Sequence, residues 1–134
     1  MQGHIEFDLI TFAYPSRPHH PALRNMSFTI PAGANVAFVG TTGSGKSTIV
    51  SLIERFYDTS SGSVLVDSMP IKSLRIHDYR KWIGLVSQEP NLYSGTIKMN
   101  LMVGLDEEDD KPTDDAIRKA CEEANIYDFI MSLS

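Results

Sequence analysis

The nine residues Gly40-Thr41-Thr42-Gly43-Ser44-Gly45-Lys46-Ser47-Thr48 constrain the fold more than any other stretch. They fit G-x-x-x-x-G-K-[ST], the spacing of a phosphate-binding loop. The apolar run Val36-Ala37-Phe38-Val39 precedes them and predicts a buried strand. From Thr48 to Phe56, apolar residues recur at 49, 52, 53 and 56, which is helical spacing. A strand, a glycine loop and a helix in that order are the setting in which this pattern binds phosphate. Gly40, Gly43 and Gly45 free the backbone to take angles other residues resist and leave room for an anion. The loop amides and the opening of the helix then converge on phosphate oxygens. Lys46 is placed to reach the terminal phosphates, and the Ser47 hydroxyl to ligate Mg²⁺.

The rest of the chain supplies the surroundings. Its 134 residues suffice for one domain with a core. Charge is uneven: residues 1–104 carry net +2 and residues 105–134 net −7. No basic stripe points to nucleic acid. The acidic run Asp106-Glu107-Glu108-Asp109-Asp110 reads as a solvated loop. A single cysteine, Cys121, excludes an internal disulfide. It falls on the apolar stripe of a helix predicted to start at the N-cap Thr113, and reads as core packing. The uncharged stretch from Asn25 to Gly45 is broken by Pro31, glycines and Asn35, so no membrane span is expected.

Alternation at Ile5, Phe7 and Leu9 predicts a half-buried strand running towards Phe12. Phe28 and Ile30 suggest a second strand, and Val64-Leu65-Val66 and Ile83-Gly84-Leu85-Val86 two more. Residues 76–82 suggest a short helix. Between the first two strands, Tyr14 to Pro21 holds three prolines and reads as an irregular loop. Tyr14 either stacks on a nucleotide base or covers core. His19 and His20 show no metal-ligand spacing and read as exposed. Gln88 stands at the C-terminal end of a predicted strand, where open α/β sheets place ligand contacts; it either ligates Mg²⁺ and orients water, or caps a loop.

Four stretches together carry a resemblance: Phe12-Ala13-Tyr14-Pro15-Ser16-Arg17-Pro18, Val39 to Thr48, Arg55-Phe56-Tyr57-Asp58, and Val86-Ser87-Gln88-Glu89-Pro90. The sequence resembles the nucleotide-binding domain of ABC transporters, particularly exporter-type, multidrug-resistance-like members, along nearly its whole length. The resemblance implies that Tyr14 is the A-loop aromatic stacking on adenine. It implies that Gly40–Thr48 is Walker A and that Gln88 is the Q-loop residue contacting Mg²⁺. It departs from the family at Ser68, where glycine is common after Asp67, and at Tyr93, where phenylalanine is common. The LSGGQ signature, the Walker B carboxylates and the switch histidine do not occur.

Residues 1–134 are therefore expected to form the N-terminal part of such a domain. The expected fold is α/β: a partial P-loop NTPase fold with an N-terminal antiparallel β portion, lacking the later core strands. The expected function is binding of ATP with Mg²⁺, within an ATPase that powers transmembrane transport. Lys46 and Gln88 stand in the catalytic roles, and Ser47 and Gln88 at the metal. Expected partners are a transmembrane domain and a second nucleotide-binding domain, at the cytoplasmic face of a membrane. The chain alone is expected to hydrolyse ATP poorly and to self-associate or be marginally stable. The alternatives are a different P-loop NTPase, against which the absence of Asn-Lys-x-Asp stands, and a non-catalytic fragment or interaction module.

Overall fold

A computed structural model of the chain describes residues 1–87, 89, 91–105 and 112–133. It divides into two units, Met1–Leu85 and Val86–Ser134.

In the first unit, strands β1 (Ile5–Phe12), β2 (Leu23–Ile30), β3 (Ser61–Val66) and β4 (Met69–Pro70) form one antiparallel sheet in the order β2-β1-β3-β4. Phe7 sits opposite Phe28 on one side and Val64 on the other, and the two phenylalanine rings stack 4.4 Å apart. The expected alternation fails at Leu9, which is 60% exposed, while Ile10 and Phe12 are buried. The cause is a bulge. The β1 register slips against both neighbours beyond Phe7 and Asp8, and Leu9 takes φ 46°. One extra residue reverses which side chains face inward. Gly62 makes the bulge possible: a Cβ there would lie 2.4 Å from the carbonyl oxygens of Asp8 and Leu9.

Helix α1 (Lys46–Ile53) lays Ile49 and Leu52 into the core against this sheet. It is shorter than the spacing predicted. Arg55 turns left-handed at φ 52°, so Phe56 falls beyond the helix and is exposed. A single turn of 3-10 helix (Ile71–Ser73) and helix α2 (Ile76–Arg80) close over the end of α1. Tyr79 donates its hydroxyl to the Ile53 carbonyl at 2.7 Å, and Arg80 donates to the carbonyls of Glu54 and Arg55, each at 3.2 Å. Arg55 in turn donates to the carbonyls of Ile71 and Leu74. Cationic donors at the C-terminal end of a helix satisfy its last carbonyls and complement its dipole. Glu54 is buried there. Burial pushes its carboxyl up, and the nearby Arg80 pulls it partly back.

The β3–β4 turn keeps left-handed geometry despite carrying serine, with Asp67 at φ 47° and Ser68 at φ 67°. The Asp67 carboxylate accepts from the amides of Gln2, Gly3 and His4 at 2.7–3.0 Å, which holds its carboxyl below the usual range.

Two predicted strands are corrected. Residues 36–39 and 83–86 enter no ladder, and Val39 and Val86 are 94% and 97% exposed. A strand buried on both faces needs partners along both edges, and neither run pairs with any described residue. The fold class stands: an antiparallel β portion combined with helices.

The second unit holds α3 (Ile97–Leu101), α4 (Asp114–Glu123) and α5 (Tyr127–Ser132). Thr96 and Thr113 cap α3 and α4 by accepting from the amides of Met99 and Ala116. Asp114 and Asp115 fall in the first turn of α4, where carboxylates complement the dipole. Cys121 is buried on α4, as the stripe predicts. The acidic run 106–110 lies outside the described residues. Among the described residues, no helix is long and apolar enough to cross a membrane.

Candidate functional site: a cation-lined cavity at the start of helix α1

The chain leaves the sheet after β2, turns at Pro31 and enters α1 through the glycine loop. Gly43 and Gly45 take φ 82° and 93°, a region that side chains with a Cβ resist. At Gly45 space matters too. A Cβ there would lie 2.7 Å from Leu23 Cδ2 and 3.3 Å from the Ala22 carbonyl, so the loop sits hard against the start of β2. The Ser44 amide donates to the Thr41 carbonyl, closing a turn that includes Thr42. The Lys46 ammonium folds back over it, donating to the carbonyls of Gly40 and Thr41 at 2.8 Å each and, more distantly, to Ser44 Oγ at 3.4 Å. Lysine thus spans the loop from inside. The first-turn amides of α1 have no carbonyl partner within the helix and point out of its end.

This end opens on a cavity of about 330 Å³. Its floor is Gly43, Gly45, Lys46, Ser47 and Thr48, and its wall is Tyr14, Arg17, His20 and Ala22. Tyr14 covers core and also faces the cavity. Its ring packs edge-on against Phe12 and Tyr57, 5.0 and 5.2 Å away, and it also lines the cavity. Its hydroxyl lies 2.9 Å from Thr48 Oγ1. Gly40, Thr41, Thr42 and Ser44 stand behind the floor as the loop that shapes it. Gln88 lies outside the described residues.

Arg17 and His20 are the additions that sequence reasoning missed. The Tyr14–Pro21 segment is not irregular throughout. Arg17 N–H donates to the Tyr14 carbonyl and His20 N–H to the Arg17 carbonyl, and these successive turns bring both side chains round to the cavity. The three-residue spacing from Tyr14 to Arg17 to His20 is the signal that points to them.

The residues fit a polyphosphate. No carboxylate among the described residues lines the cavity, while a lysine, an arginine, a histidine, three hydroxyl side chains and a helix N-terminus do. They fit a metal ion less fully. Ser47 offers one hydroxyl, and no group of three acidic, histidine or cysteine side chains among the described residues is arranged to hold a cation. A hollow of about 340 Å³ in the second unit is lined mostly by apolar side chains, with Asp114 and Asp115, and its two cations are already paired, Lys98 with Asp114 and Arg118 with Glu122.

Known proteins share this arrangement of sequence and fold. A family model described as ABC transporter matches residues 23–133. The chain is 51% identical over 133 residues to the ABC-type transporter MDR1 of Aureobasidium melanogenum. It is 53% identical over the same length to the ABC multidrug transporter atrD of Emericella nidulans. Each match covers 99% of this chain and 10% of the relative, so the chain spans about a tenth of the length of these proteins. A solved structure of a bacterial Atm1-family ABC exporter with ATP bound superimposes with a TM-score of 0.87. It is 33% identical, and the match covers 98% of this chain and 22% of that one.

Proposed function

The chain belongs to the ABC transporter family, and on that premise we propose that it binds ATP with Mg²⁺ as part of an ATPase that powers transport across a membrane. The observation that carries the reading is one cavity that joins an aromatic ring, Tyr14, to a floor of Gly43, Gly45, Lys46, Ser47 and Thr48. The base rests against Tyr14, and stacking there is tolerant of which base it is. The triphosphate lies over Gly43, Gly45 and the first turn of α1, with Lys46 exchanging its carbonyl partners for phosphate oxygens. Thr41, Thr42 and Ser44 hold the loop that offers the amides, and Gly40 admits its close turn.

Mg²⁺, when bound, would supply positive charge that neutralises the phosphates. Ser47 is the residue of the described site that can hold it, and Gln88 is proposed as a second ligand from outside the described residues. Lys46 is the catalytic cation, stabilising charge on the transferred phosphoryl group, and Gln88 orients water. The sequence holds no Walker B carboxylate, so the chain by itself binds nucleotide without efficient turnover. A second nucleotide-binding domain and a transmembrane domain complete the machine, at the cytoplasmic face of a membrane.

Equilibrium titration of ATP into the purified chain, with and without Mg²⁺, tests the reading. Saturable binding is expected, strengthened by Mg²⁺ and weakened at least about tenfold in Lys46→Ala, the loss of a charge-assisted contact. No saturable binding, or a strong preference for GTP in competition, sinks it.

A further inference from the structure

Tyr14 and Thr48 are 34 residues apart in sequence, yet their side-chain oxygens meet at 2.9 Å on the cavity wall. Tyr14 is held in place by Phe12 and Tyr57, and Thr48 is 5% exposed on the first turn of α1. Each hydroxyl has one proton to give and lone pairs to receive. Neither makes a further hydrogen bond among the described residues. One of the two protons is spent between them, and the other remains to be offered.

An anion settles which. A phosphate oxygen only accepts, so an anion at the cavity floor draws the Thr48 proton. Thr48 Oγ1 then accepts from the Tyr14 hydroxyl. The three groups form a chain in one sense, tyrosine to threonine to anion, in which each bond polarises the next and the last is charge-assisted. We propose that the Tyr14 hydroxyl is a positioning group for the phosphate end of the ligand, acting through Thr48, in addition to any contact its ring makes with a base. The proposal rests on the nucleotide-binding reading above and assigns that site a second use of one residue.

Stacking requires a base, whereas the relay does not. The experiment therefore titrates inorganic tripolyphosphate, alongside ATP, into the wild-type chain and into Tyr14→Phe, Thr48→Val, Thr48→Ser and the Tyr14→Phe/Thr48→Val pair. Removing one hydrogen bond that supports a charged contact weakens binding by about threefold to tenfold. Tyr14→Phe should lose that factor equally for tripolyphosphate and ATP. The pair should be no weaker than Thr48→Val alone, and Thr48→Ser, which keeps the hydroxyl, should bind like wild type. The proposal is overturned if Tyr14→Phe binds tripolyphosphate as wild type does. It is also overturned if the phenylalanine loses the same factor in the valine background, since the effect then does not pass through Thr48. Either result leaves ATP binding by the wild-type chain intact. Failure of wild type to bind tripolyphosphate while it binds ATP overturns the proposal alone, and failure to bind ATP removes the proposal and the parent reading together.

Discussion

Three glycines show how much a missing Cβ decides and how differently it does so. Gly43 needs only its backbone angle, because a Cβ there meets nothing within 4 Å. Gly45 needs its angle and also its clearance from Leu23. Gly62 stands against two backbone oxygens that cannot step aside without undoing the β1 bulge. Alanine should therefore cost about 1 kcal/mol at position 43, about 2 at 45 and at least about 3 at 62. In a unit this size each kcal/mol lowers the melting temperature by about 4–8 °C. Thermal unfolding of the three variants checks the order, and an equal or reversed loss at 43 and 62 defeats the argument. The motif makes Gly43 and Gly45 legible from sequence, since their spacing to Lys46 is the pattern itself. Gly62 carries no such mark, because its reason lies on another strand. Leu9 was misread for the same cause: alternation assumes an unbroken pleat, and the residue opposite the break is 53 positions away in the chain.

Helix α1 carries phosphate chemistry at its first turn and a hydrogen-bonded lock at its last. Sequence periodicity located the helix but ran it on to Phe56, because apolar spacing carries no mark of where Arg55 turns left-handed. The lock itself was invisible, since α2 read only as a short helix while Tyr79 and Arg80 reach over to the end of α1. Burial, aided by the charge of Glu54 and opposed by Arg55, pushes the Tyr79 phenol up to about 12. The folded state thus holds this proton more tightly than the unfolded chain, whose tyrosines titrate near 10. Stability from this group is unaffected below pH ~10 and falls as the pH rises towards about 12, by about 1.4 kcal/mol per pH unit at most. Tyr79→Phe should cost about 1 kcal/mol at neutral pH for the lost hydrogen bond and should remove that alkaline decline. Urea midpoints of the two proteins at pH 8 and at successively higher values make the comparison. Parallel declines would assign the alkaline loss to other groups.

Across the whole molecule, the antiparallel sheet and the cap of α4 are readable, because alternation and capping residues act over a few neighbours. The runs 36–39 and 83–86 are not, because a buried strand is made by the partners on its edges, and composition records none of them. Phe38 and Ile83 pack part-way onto the core, but Val39 and Val86 lie almost wholly open, and exposed apolar surface seeks cover. The apparent mass of the chain in sedimentation equilibrium should rise with concentration, and Val39→Lys with Val86→Lys should lower it; a constant monomer mass for the wild-type chain would be the contrary result. The same openness bears on energetics at the phosphate loop. The loop is fastened to α1 at one end and strutted by Lys46, yet the run leading into it holds to the sheet by the Phe38 ring on Phe28 and by no ladder of hydrogen bonds. A ligand that draws this run into a fixed path gives up about 1–2 kcal/mol of chain entropy for each residue it orders. Calorimetry on such a site records a favourable enthalpy set against a large entropic loss. The measured affinity then understates what the loop's contacts with the ligand are worth.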